Sequence, residues 1–142
     1  DINCALGISQ LKKLNKFISR RKKIAKIYNN FFNEKDKFQI PNEVIGNQNS
    51  YHLYPLLVNF KKIKKKKDKI INEFLRYKIK LQVHYIPVNS QPYYKKKYGL
   101  NKNKFRNSFK FYENQISIPI YYDLKSNQIK YFLKICKILF KI

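Results

Sequence analysis

Between residues 4 and 32, apolar side chains recur at helical spacing. Leu11, Leu14, Ile18, Ala25, Tyr28 and Phe32 share one face, with lysines between them. That pattern predicts one long amphipathic helix, whose apolar stripe has to be buried against other elements. Gly7 sits inside the pattern. Glycine costs about 1 kcal/mol relative to alanine in a helix interior, so a close contact with another helix is expected there. A second helical pattern closes the chain. Ile129, Phe132, Leu133, Cys136, Leu139 and Phe140 make one apolar face, and Ser126 is placed to cap its start.

The middle of the chain reads as strands and shorter helices. "SYHLYPLLVNF", residues 50–60, is aromatic and apolar enough for a strand, and Pro55 inside it points to an edge position or a bulge. Residues 61–79 read as a helix with Ile70, Ile71, Phe74 and Leu75 inward, its lysine run forming a solvated start. Residues 81–85 read as a short strand, 86–103 as a loop broken by Pro87, Pro92 and Gly99, and 105–114 as a short helix. "QISIPIYYD", residues 115–123, reads as a strand and turn. Residues 33–41 read as a polar loop closed by Pro41. The expected order is helix, strand, helix, strand, helix, strand, helix. With no repeat and no linker, that makes one α/β or α+β domain.

Composition enters through charge. The formal net charge is +24, and 28 of the 32 basic residues are Lys. Lys, Asn, Ile, Tyr and Phe supply 86 of 142 residues. All five have AT-rich codons, so an AT-rich genome accounts for the charge without a selected basic patch. Arg, the better reader of phosphates and guanine, is scarce. The chain starts at Asp1 and contains no Met, so it reads as a piece of a longer protein. Cys4 and Cys136 lie near opposite ends, without Cys or His neighbours at metal-ligand spacing. Buried free thiols in a reducing cytoplasm are expected. No apolar run reaches the roughly 18 residues of a transmembrane helix.

Chemistry-bearing residues are few. His52, in the expected strand, reads as a structural, hydrogen-bonded histidine. His84 ends a strand and starts an irregular segment, "VHYIPVNSQPYYKKKYG", residues 83–99. Strand ends are where ligands gather in mixed folds, so His84 is read as functional. No nucleophile constellation, acid/base dyad or glycine-rich phosphate loop stands out. The residues by themselves describe a binding portion without a complete active site.

Four stretches in order, "DINCALGISQLKKLNKFISRRKKIAKIY", "NSYHLYPLLV", "VHYIPVNSQPYYKKKYG" and "FYENQISIPIYYDL", resemble the C-terminal part of the DegT/DnrJ/EryC1/StrS family, and its pseudaminic-acid branch most of all. The resemblance covers nearly the whole chain. It implies the C-terminal small domain, over residues 1–142, of an aspartate-aminotransferase-like, fold type I transferase dependent on pyridoxal 5'-phosphate. The large domain, which carries the cofactor lysine, would lie outside this chain, leaving the chain alone inactive. The implied parent is a cytoplasmic homodimer. It takes an amino group from glutamate and passes it to C4 of a UDP-linked 4-keto-6-deoxy-N-acetylhexosamine. The resemblance also implies that His84, Tyr85, Pro87, Asn89, Gln91 and Tyr94 line the nucleotide-sugar site. Asn89 stands where the branch usually has His, which removes any role for a charged imidazole there. Neither a specific nucleic acid nor a membrane is an expected partner. The competing reading is a small basic module that binds nucleic acid or an anionic surface, with tyrosines stacking on bases.

Overall fold

Alternating burial along residues 54–58 builds the centre of the fold. The computed structural model describes residues 1–100 and 102–142; residue 101, inside the expected 86–103 loop, lies outside the described residues. Strand β2 (Tyr54–Val58) buries Tyr54, Leu56 and Val58 on one face. It pairs antiparallel with β1 (Phe38–Gln39) on one side and β3 (Gln115–Ile118) on the other. Antiparallel pairing makes this the α+β form of the expected mixed class. β1 lies in the stretch read as a loop, and two residues are too few to show a period.

β2 is the middle strand, and the edge position expected from Pro55 is met only locally, on its β1 side. Pro55 lies opposite Ser117, whose N–H and C=O both bond to Gln82 on the far side, at 2.7 and 3.1 Å. The Pro55–Ser117 pair is thus the non-hydrogen-bonded kind. The missing proline N–H falls on the β1 side, where β1 pairs only with Leu57 and Val58. The strand expected over residues 81–85 shrinks to this single Gln82–Ser117 bridge.

The first helical pattern divides into α1 (Ile2–Leu11) and α2 (Leu14–Phe32). The turn tightens at Lys13, whose N–H reaches Gln10 O at 3.0 Å. α2 buries Ile24, Ala25, Tyr28 and Phe32, whereas α1 buries nothing. The break falls where no packing holds the direction of the chain. Gly7 has nothing within 4 Å of where a Cβ would stand, so the expected helix contact is absent among the described residues. The expected 61–79 helix also divides, into α3 (Phe60–Ile63) and α4 (Lys67–Arg76). Asn59 caps α3 by accepting from Lys62 N–H, and Lys64 ends it in the left-handed region at φ 57°. Lys65 then turns inward to Glu73, at 2.6 Å. A 3-10 turn (Val88–Ser90) precedes α5 (Pro92–Tyr98), so the segment read as a proline-broken loop contains a helix. Pro92 occupies its first turn, where no N–H is needed, and Gly99 closes it at φ 57°. A second 3-10 turn (Lys102–Phe105) leads into α6 (Arg106–Asn114). α7 (Ser126–Phe140) starts one residue earlier than a Ser126 cap requires: the cap position is Lys125, whose N–H donates to Gln128 Oε1 at 2.9 Å.

Aromatic rings join α2, β1, β2, α4 and α7 into one core. Tyr28 meets Tyr54 and Phe132 edge-on, Phe74 tilts against Phe132 and Phe140, and Phe38 bridges Phe32 to Phe140. Burial of each side chain of this kind is worth about 1.5–3 kcal/mol. Two of the buried phenols are satisfied within this network, Tyr28 donating to Pro119 O at 2.8 Å and Tyr54 to Asn29 Oδ1 at 2.6 Å. Burial pushes both phenols above their ordinary range, which keeps them protonated donors.

The cysteines part company. Cys136 is buried as expected, but Cys4 is exposed on α1. Burial raises the Cys136 thiol well above its usual range, lowering the fraction of the nucleophilic thiolate. An aromatic disulfide reagent at mildly alkaline pH should therefore label one thiol in the folded chain, that of Cys4, and both in denaturant. Fast labelling of Cys136 in the folded chain would contradict this core.

Candidate functional site

β3 is buried at every position, including two polar residues: Gln115 is 1% exposed and Ser117 4%. Polar groups so placed need partners, and they find them in the segment after Gln82. Gln115 Oε1 accepts the His84 backbone N–H at 3.2 Å. Gln115 Nε2 donates to Ser117 Oγ at 2.7 Å. Ser117 Oγ lies 2.9 Å from His84 Nδ1. The His84 N–H is spent on a side chain instead of a strand, which is why pairing stops at Gln82. β3 thus fixes both the backbone and the ring of His84.

The site residues expected from sequence divide. His84 and Tyr85 are brought together, their rings edge-on at 4.8 Å across a cis peptide bond. His84 is half-buried, and Tyr85 is 75% exposed. Pro87 and Asn89 belong to the turn beside them. Pro87 O accepts from both the N–H and the hydroxyl of Ser90. Asn89 Nδ2 is buried and makes no hydrogen bond among the described residues. Gln91 caps α5, its carbonyl accepting from Lys95 N–H at 2.9 Å. Tyr94 lies on α5, edge-on to Tyr93 and stacked on Tyr98 at 6.3 Å. No ring or hydrogen-bond contact among the described residues joins Tyr94 to His84. His52, expected to be structural and within a strand, lies exposed in a bend before β2.

Gln115 and Ser117 were not singled out from sequence. The only signal for them is the polar half of the alternation in "QISI", which ordinarily marks a solvent face. A cavity of about 500 Å³ lies elsewhere, walled by Tyr28, Tyr77, Tyr121, Tyr131, Gln128 and Phe132 among others. None of the six expected site residues lines it.

These residues do not form a complete pyridoxal-phosphate site. Gly7, Gly46 and Gly99 are far apart in sequence and form no phosphate loop. Lys67, whose ammonium is pushed down by burial, already donates to Tyr112 O at 2.5 Å and lies over the Tyr112 ring. Among the described residues, no group of three metal-ligating side chains occurs, and no helix is long and apolar enough to cross a membrane.

The chain belongs to the DegT/DnrJ/EryC1/StrS aminotransferase family, matching it over residues 1–137. A protein of Methanocaldococcus jannaschii, MJ1066, is 40% identical over 121 residues, which are 85% of this chain and 31% of that one. The UDP-4-amino-4,6-dideoxy-N-acetyl-beta-L-altrosamine transaminase of Campylobacter jejuni is 34% identical over 131 residues, 92% of this chain and 34% of that one. Among solved structures, Helicobacter pylori PseC, an aminotransferase involved in the biosynthesis of pseudoaminic acid, superposes with a TM-score of 0.86 at 26% identity. That match covers 96% of this chain and 36% of PseC. The chain therefore has the fold of part of a fold type I aminotransferase, and it spans about a third of the length of the relatives it matches.

Proposed function

We propose that this chain is the C-terminal small domain of a pyridoxal-phosphate-dependent sugar aminotransferase. The enzyme takes an amino group from glutamate and delivers it to C4 of a UDP-linked 4-keto-6-deoxy-N-acetylhexosamine, on the route to pseudaminic acid and surface polysaccharide. It works as a cytoplasmic homodimer. The observation that carries this reading is the 34% identity to the Campylobacter jejuni transaminase across 92% of this chain. The large domain holds the cofactor, which supplies the electron sink for amino transfer.

The share of the work that falls to this chain is binding. Residues 83–99 form one wall of the nucleotide-sugar site. His84 and Tyr85 offer hydrogen-bond donors to hydroxyl and diphosphate oxygens. Asn89 Nδ2, buried without an acceptor, gains one when ligand or the large domain closes over it. A buried donor left unpaired costs about 1–3 kcal/mol, so its pairing favours the bound state. Pro87 and Pro92 limit the entropy lost on binding by stiffening the segment. The +24 charge is left to codon composition.

The test is turnover by the reading frame that encloses this chain. Supplied with glutamate and the UDP-linked 4-keto sugar, that protein should release 2-oxoglutarate and form the 4-amino sugar, while residues 1–142 alone form none. Failure of the enclosing protein to aminate any nucleotide-linked keto sugar would remove this reading. Tight, salt-sensitive binding to RNA or DNA in its place would favour the basic-module alternative.

A further inference from the structure

We propose that Gln115 and Ser117 are positioning residues that set the tautomer of His84, keeping its ring proton on Nε2. Hydrogen-bond accounting leads there. The His84 backbone N–H can only donate, so the Gln115 atom 3.2 Å from it is the carbonyl Oε1. That fixes the amide, which turns Nε2 of Gln115 toward Ser117 Oγ at 2.7 Å. An amide nitrogen only donates, so Ser117 Oγ accepts from it, and the Ser117 hydroxyl hydrogen must point elsewhere. Ser117 is buried, and the remaining hydrogen-bond partner of its hydroxyl among the described residues is His84 Nδ1, at 2.9 Å. Were Nδ1 protonated, two donors would converge on one serine oxygen and the buried hydroxyl hydrogen would have no acceptor, an arrangement that protein interiors avoid. Nδ1 therefore accepts, and the neutral ring carries its hydrogen on Nε2.

The consequence is a directional contact. Nε2 makes no hydrogen bond among the described residues, yet it is not among the buried atoms left without a partner. It presents a donor, which selects an oxygen acceptor such as a sugar hydroxyl or a diphosphate oxygen and disfavours a ligand N–H at that place. That this acceptor belongs to a nucleotide sugar rests on the function proposed above; the tautomer does not.

Histidine-selective 15N labelling reads the tautomer directly. The labelled sample is the enclosing protein, and the signals that His84→Gln removes are those of His84. Long-range proton–nitrogen correlation, recorded well above the ordinary imidazole titration range, should show His84 Nδ1 unprotonated and Nε2 protonated. Ser117→Ala removes the donor to Nδ1. The ratio of the Nε2–H to the Nδ1–H form should then fall about fivefold, the factor that one hydrogen bond is worth. Ser117→Thr keeps the hydroxyl and should restore the ratio. A native ring protonated on Nδ1, or a ratio unchanged in Ser117→Ala, overturns the proposal. No ligand enters the experiment, so its outcome is separate from whether the protein aminates a sugar.

Discussion

Phe74→Ala is expected to lower the unfolding free energy of this chain by about 3–5 kcal/mol, the range for removing a large buried aromatic ring. Phe74 is fully buried on α4, and its ring rests on Phe132 and Phe140 of α7, at 6.0 and 5.5 Å. Those rings continue to Tyr28 and Phe38, so the cavity opens where α2, β1, α4 and α7 meet. Rigid neighbours on several elements cannot collapse together into the space, which places the cost at the upper part of the range. Domains of this size hold about 5–15 kcal/mol in total, so the variant should lose a large share of its stability. Phe111→Ala is the control. That ring is 43% exposed on α6, and its loss should cost well under half as much. Denaturant midpoints for the two variants test the pair. Similar midpoints would mean that the aromatic chain across α4 and α7 is not the centre of the core.

The parts of this fold that were legible in the sequence are those whose burial is periodic. The apolar face of α7 places Ile129, Phe132, Cys136, Leu139 and Phe140 in the core, as the spacing predicts. The same reasoning overran in the first helix. Leu11 and Leu14 belong to the expected stripe but are exposed, and a spacing pattern cannot distinguish a stripe that has found a partner from one that has not. α5 was hidden by its one proline. Pro92 reads as a breaker unless it is recognised as a first-turn residue with Gly99 as the matching stop. At the candidate site, the sequence singled out His84 by its place at the start of an irregular segment, and Tyr85 only through the family resemblance. The support of His84 was not legible, because Gln115 and Ser117 lie more than thirty positions away and alternate as a solvent-facing strand would. Only the tertiary fold places that polar face under a histidine.

The central claim is that residues 83–99 meet the nucleotide sugar while the donor chemistry resides elsewhere in the protein. It predicts a split between the two halves of amino transfer. Removing a hydrogen bond to a charged or diphosphate group costs about 1.5–3 kcal/mol, which corresponds to roughly a 10- to 100-fold loss in rate constant. The most direct measurement is therefore His84→Ala in the enclosing enzyme, with each half followed by itself. 2-Oxoglutarate release from glutamate should stay within about twofold of the native enzyme, while kcat/KM for amination of the UDP-linked keto sugar falls about 10- to 100-fold. An unchanged sugar half, or an equal loss in both halves, would contradict the assignment of this segment to the sugar-nucleotide site.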